Sequence, residues 1–119
     1  MPSRILVVDD ELDTAQSLAL LFRGMGKQVE FAVTAAAALE ISRRMRPDMV
    51  FVDIGLPDFD GWQLARRLKQ EAVGRPLRVV CITGRSDPAD RQRSADAGAE
   101  AHLVKPVDPA HVERLVEDD

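Results

Sequence analysis

Four short stretches of this sequence carry side chains that could do chemistry together. Asp9, Asp10 and Glu11 stand in a row, Asp53 follows Val52, Thr83 precedes Gly84, and Lys105 precedes Pro106. Each stretch comes directly after a short apolar run, at residues 5–8, 49–52, 79–82 and 101–104. If those runs are parallel strands of one open sheet, the polar groups face one crevice, because ligands of such sheets bind at the carboxyl ends of the strands. One such position means little; four together carry the reading. Carboxylates gathered this closely repel one another and call for a cation. Hard oxygen ligands completed by water suit Mg²⁺ or Mn²⁺. A metal-bound carboxylate beside a lysine and a hydroxyl is an arrangement for phosphoryl transfer. Metal and lysine neutralise the equatorial oxygens, the hydroxyl donates to one of them, and a carboxylate attacks in line. Asp53 is the best nucleophile, since it follows the central run and Gly55 leaves room above it.

The elements that must position these groups are legible. The runs at 5–8, 49–52 and 79–82 are unbroken and rich in β-branched residues, as in strands covered on both faces. Val29, Phe31 and Val33 alternate with Glu30 and Ala32, which predicts a half-buried edge strand. Residues 101–104 form a shorter fifth candidate. Between the runs lie helices with stop and start signals. Ala15, Leu18, Ala19 and Phe22 make one face of the first, with Gly24 and Gly26 at its stop. Thr34 caps a second that must end before Pro47. Leu64, Ala65 and Leu68 mark a third, with Gly74 and Pro76 beyond it. Asp87-Pro88 and Asp108-Pro109 place a cap before a first-turn proline and start the fourth and fifth. Five βα pairs predict a parallel sheet with helices on both faces. From Asp90 to Asp96 the fourth helix is polar apart from Ala95, so it buries little and should be loosely held.

Taken together, Asp9-Asp10-Glu11, Asp53-Ile54-Gly55-Leu56-Pro57 with Gly61, Thr83-Gly84 and Lys105-Pro106 resemble the receiver domain of two-component response regulators, the CheY-like family. The resemblance runs from about residue 4 to residue 116, with its motifs in order and at the family's spacing. It implies a flavodoxin-like (βα)5 fold, five parallel strands in the order 2-1-3-4-5, over a single domain spanning 1–119. It also implies site roles. Asp53 is the phosphoacceptor, Asp10 a direct Mg²⁺ ligand together with Asp53 and the Gly55 carbonyl, and Asp9 a ligand through water. Thr83 is the switch hydroxyl, Lys105 the phosphate-binding lysine, and the Lys105-Pro106 bond is typically cis. His102 stands where the family usually has the Tyr or Phe that swings inward, which sets the standard coupling in question. The implied donor is the phosphohistidine of a histidine kinase or histidine phosphotransfer domain. The implied activity is that of a signalling receiver, which catalyses its own phosphorylation and dephosphorylation and is otherwise no enzyme. Output to a downstream protein would leave through the fourth helix, fifth strand and fifth helix. The stretch from Ala99 to Pro109 looks like receivers attached to hybrid sensor kinases. A domain within a longer protein and a single-domain regulator are both expectations.

Composition narrows the alternatives. The chain has 119 residues, with 16 basic and 20 acidic side chains and one cysteine. One domain of that size can bury a core without staples. The net charge of −4 speaks against direct grip on nucleic acid. One cysteine allows no internal disulfide, and no apolar run reaches membrane-spanning length; both lead us to expect a cytoplasmic protein with no direct membrane contact. An aspartyl-phosphate phosphatase is the rival reading, but it needs a second Asp two residues after the nucleophile, where Gly55 stands. A pseudo-receiver is a second rival, though its mark, loss of an acidic or lysine position, is missing. Asp58 and Asp60 read as turn formers, Cys81 and Trp62 as packing, and Arg85, Arg91 and Arg93 as a partner surface.

Overall fold

A computed structural model describes residues 3–56, 58–84 and 87–117. Pro57 and Arg85 lie outside the described residues. The elements alternate as expected: β1 (Arg4–Val8), α1 (Leu12–Gly24), β2 (Gln28–Ala32), α2 (Ala35–Met45), β3 (Met49–Asp53), α3 (Gly61–Glu71), β4 (Arg78–Thr83), α4 (Pro88–Asp96), β5 (Ala101–Val104) and α5 (Pro109–Glu117). The five strands are parallel in the order β2-β1-β3-β4-β5. The alternating β2 and the short β5 are the two edges, and the apolar β1, β3 and β4 lie inside.

Strand alternation splits the core in two. Leu6, Val8, Val50, Val52, Val79 and Cys81 face α2 and α3. Ile5, Val7, Met49, Phe51, Val80 and Ile82 face α1 and α5, where Phe22 and Phe51 pack with ring centroids 5.1 Å apart. This double cover explains why the inner strands carry no polar alternation.

The capping signals act as read. The side chains of Thr34 and Asp87 accept from backbone N–H groups at the starts of α2 and α4, and Asp60, expected only to form a turn, also caps α3 by accepting from Trp62 N. Asp108 accepts from Ala110 N ahead of α5. Asp58 does more than shape its turn, since its carboxylate reaches across to accept from Ala35 N at the start of α2. α2 stops at Arg46, a non-glycine residue in the left-handed region at φ 51°, directly before Pro47.

Candidate functional site

The register brings the four stretches to one edge of the sheet. Val8 pairs with Val52, so Asp9 and Asp53 leave adjacent strands side by side. Asp53 pairs with Ile82 and Thr83 with Val104, which carries Thr83 and Lys105 to the same rim. Asp9, Asp53 and Thr83 are buried, whereas Asp10 is exposed. Carboxylate oxygens of Asp9, Asp10 and Asp53 lie within 4.8 Å of one another.

Lys105 ties the cluster together. Its Nζ donates to Asp53 Oδ2 at 3.1 Å and to Asp9 Oδ1 at 3.3 Å, and it also reaches Glu11. Burial alone would lower the ammonium's pKa. The hydrogen bonds to Glu11, Asp53 and Asp9 outweigh that and hold it above its ordinary value. Asp53 Oδ1 accepts from Gly55 N at 2.8 Å, and Asp9 Oδ1 from Glu11 N at 2.9 Å. The Lys105–Pro106 peptide bond is cis.

The donor set fits a hard divalent cation. It consists of oxygens alone, it gathers more negative charge than one lysine offsets, and Asp9 Oδ2 is buried without accepting a hydrogen bond from any described residue. The Lys105 ammonium lies 3.1 Å from that oxygen. Burial, reinforced by Asp53 and opposed by the Glu11 N–H and Lys105, raises the Asp9 pKa to about 6. The folded value therefore lies above the unfolded one of 3.8. Ionised Asp9 costs the metal-free fold stability above about pH 6, and the cost fades as pH falls towards 3.8. Asp9→Asn should accordingly stabilise the metal-free protein near neutral pH by roughly 1–3 kcal/mol. Urea unfolding in a chelator at neutral and mildly acid pH measures this, with the gain shrinking in acid.

Two glycines shape the pocket. A Cβ on Gly55 would lie 3.3 Å from Asp53 Oδ1, so the small residue keeps the space over that carboxylate open. A Cβ on Gly61 would meet Ile54 Cα at 2.3 Å and the Asp53 carbonyl oxygen at 2.8 Å. Helix α3 can therefore approach the end of β3 only with glycine at its first position. Gly61→Ala should cost at least about 2 kcal/mol in a denaturant titration. Gly24→Ala, whose added methyl would have open space, should be near neutral.

Sequence reading missed two features. Glu11 was one acid among three, yet it shares the lysine. Trp62 packs against the core as expected, and in addition its indole N–H donates to Ser94 and its ring lies 5.1 Å from the Arg93 guanidinium. No spacing rule links a tryptophan to a serine on another helix.

A doubly wound parallel sheet with an acidic pocket and one lysine at its carboxyl rim defines the class of protein. The sequence matches the response regulator receiver domain family over residues 5–117, and the chain belongs to that family. It is 34% identical over 113 residues to a 14.6 kDa protein of the sodA1 3' region of Leptolyngbya boryana, covering 95% of this chain and 86% of that one. It is 37% identical over 106 residues to the response regulator MprA of Mycobacterium sp. strain KMS, covering 89% of this chain but 45% of MprA. The chain thus spans about half the length of that relative. The structure of a CheY-like receiver domain protein from Methanospirillum hungatei JF-1 superposes with a TM-score of 0.88 at 28% identity, covering 98% of this chain and 92% of that one. The BeF3-activated N-terminal receiver domain of Klebsiella pneumoniae RstA superposes with a TM-score of 0.85 at 25% identity, covering 95% and 94%. This chain is therefore a receiver domain of the two-component response regulators, a signalling module. Among the described residues no helix is long and apolar enough to cross a membrane.

Proposed function

We propose that Asp53 accepts a phosphoryl group from the phosphohistidine of a histidine kinase or phosphotransfer domain, and that Mg²⁺ is required. The observation that carries this reading is the shared lysine: one Nζ reaches both buried carboxylates, Asp53 and Asp9, beneath the opening that Gly55 leaves. An Asp53 carboxylate oxygen bonds to phosphorus while the donor P–N bond breaks, and the bonding pair leaves with the imidazole. Gly55 N–H holds the carboxylate's orientation. Lys105 passes from carboxylate to phosphoryl oxygen without leaving the pocket, and the Thr83 hydroxyl donates to the incoming group. Asp10, Asp53 and the Gly55 carbonyl would hold the metal, with Asp9 acting through water. Bound there, Mg²⁺ supplies positive charge to the transferring oxygens.

Between α1 and the loop after β5, an apolar groove lined by Leu18, Leu20, Leu21 and Val107 opens beside Lys105. Leu20 on its wall is 71% exposed. A donor helix seated there would present its phosphohistidine to the pocket. Phosphorylation would then shift the population of α4, β5 and α5 positions and pass the signal to a downstream protein.

The ligand test uses beryllofluoride, the group named for the activated RstA domain. With Mg²⁺ present and beryllofluoride at about 100 times its own dissociation constant, binding should add roughly 2.7 kcal/mol to unfolding stability. Asp10→Asn should remove most of that gain. An equal gain without Mg²⁺, or an undiminished one in Asp10→Asn, contradicts the assignment.

A further inference from the structure

Helix α4 has the least to bury: among its residues Ser94 alone is buried. The Ser94 hydroxyl is the centre of a hydrogen-bond chain that the phosphoryl site does not need. Trp62 Nε1 of α3 donates to Ser94 Oγ at 3.0 Å, and that oxygen lies 2.7 Å from Nδ1 of His102 on β5. At the far end His102 Nε2 is buried with no hydrogen-bond partner among the described residues. An indole N–H only donates, so it occupies one lone pair of the hydroxyl and leaves one hydrogen and one lone pair. Giving the hydrogen to Nδ1 pairs the indole, the hydroxyl and Nδ1, and it requires a neutral imidazole protonated at Nε2, whose uncharged N–H is then buried with no acceptor among the described residues. The other tautomer turns the hydroxyl hydrogen towards the thiol of Cys81, which pairs with His102 in the β4–β5 register and is a weak acceptor. An imidazolium forces the same turn and leaves a charged N–H buried without an acceptor.

We propose that the Trp62–Ser94–His102 chain is a proton-sensitive latch, in which neutral His102 ties α4 to β5 and α3 and protonated His102 releases it. From α4, Arg91 opposes the proton and Asp90 favours it. From β4 the Cys81 thiol faces the same space, and burial keeps it protonated. From α3 comes Trp62, with Arg93 of α4 stacked on its ring. Burial first, then Arg91, lowers the His102 pKa below the ordinary 6.5. The latched state therefore binds a proton less readily than the released one, and acid below that ordinary value favours release. A consequence for signalling through α4 rests on the proposed function; the latch does not, and its test uses no phosphoryl donor.

The test combines imidazole ¹⁵N spectra with amide hydrogen exchange on the metal-free chain. Near neutral pH, His102 should show the Nε2–H tautomer. Lowering the pH to about 5.5 should speed exchange across residues 88–96 at least about fivefold beyond the intrinsic change, with β1 and β3 amides unaffected. His102→Gln, which keeps an acceptor for Ser94 but takes no proton, should abolish that dependence, and His111→Gln should leave it intact. Ser94→Ala should free α4 at both pH values. If a variant fails to fold, the wild-type spectrum and pH series decide. An Nδ1–H tautomer or imidazolium near neutral pH overturns the proposal. Equal α4 protection at both pH values, or a pH dependence that survives in His102→Gln, overturns it too.

Discussion

Asp53→Asn should take up no phosphoryl group from acetyl phosphate and Mg²⁺, under conditions where the unaltered chain gains the mass of one. The amide preserves the shape of the side chain and can still accept from Gly55 N, so the pocket should remain folded around it. What it lacks is the anionic oxygen that the proposed function has attack phosphorus, and among the described residues none is placed to substitute. Asp9 is buried against Lys105, and Asp10 is exposed at the rim. The expected fall in labelling is at least about a hundredfold, the scale on which removing a nucleophile acts. The product on the unaltered chain should be an acyl phosphate and so be discharged by hydroxylamine. Undiminished labelling in the variant would move the nucleophile elsewhere.

Lys105→Met should injure both fold and chemistry. Methionine matches the length of the lysine stem but leaves the buried Asp9 and Asp53 carboxylates facing each other with no cation. Breaking a buried pair from one side costs about 3 kcal/mol or more, because the surviving charge keeps its desolvation cost. For a chain of this size that is roughly a 10 °C fall in unfolding temperature. Saturating Mg²⁺ should recover much of it by supplying the missing charge. Stability would then return while phosphoryl uptake stays low, since the proposed function also has Lys105 meet the incoming phosphoryl oxygens. A variant as stable as the parent in chelator would show that the pocket needs no counter-charge.

The sheet and the pocket were legible in the sequence because both depend on local rules. Unbroken β-branched runs mark the inner strands, Asp-Pro pairs start α4 and α5, and residues at strand ends share a crevice by geometry alone. The 2-1-3-4-5 strand order rested on family resemblance, since no local pattern says which strands pair. The role of Asp58 at the start of α2 was hidden for the same reason: its partner is a backbone N–H on a distant element. Glu11 gave no signal of sharing Lys105, because side-chain reach across the pocket is not a sequence spacing. The weak apolar face of α4 was read as loose attachment. The structure adds what residue types alone conceal, a polar anchor through Ser94 to Trp62 and His102.

The resemblance placed several roles on residues whose contacts the structure now describes, and these roles share one premise, that phosphorus becomes bonded to Asp53. That bond can be located chemically. Borohydride reduces an aspartyl phosphate to homoserine, which fragment mass spectrometry assigns to a single position. After treatment of the chain with acetyl phosphate and Mg²⁺, homoserine should appear at position 53 and nowhere else. Homoserine at position 9 or 10, or a chain left unmodified with Mg²⁺ and donor in excess, would contradict it.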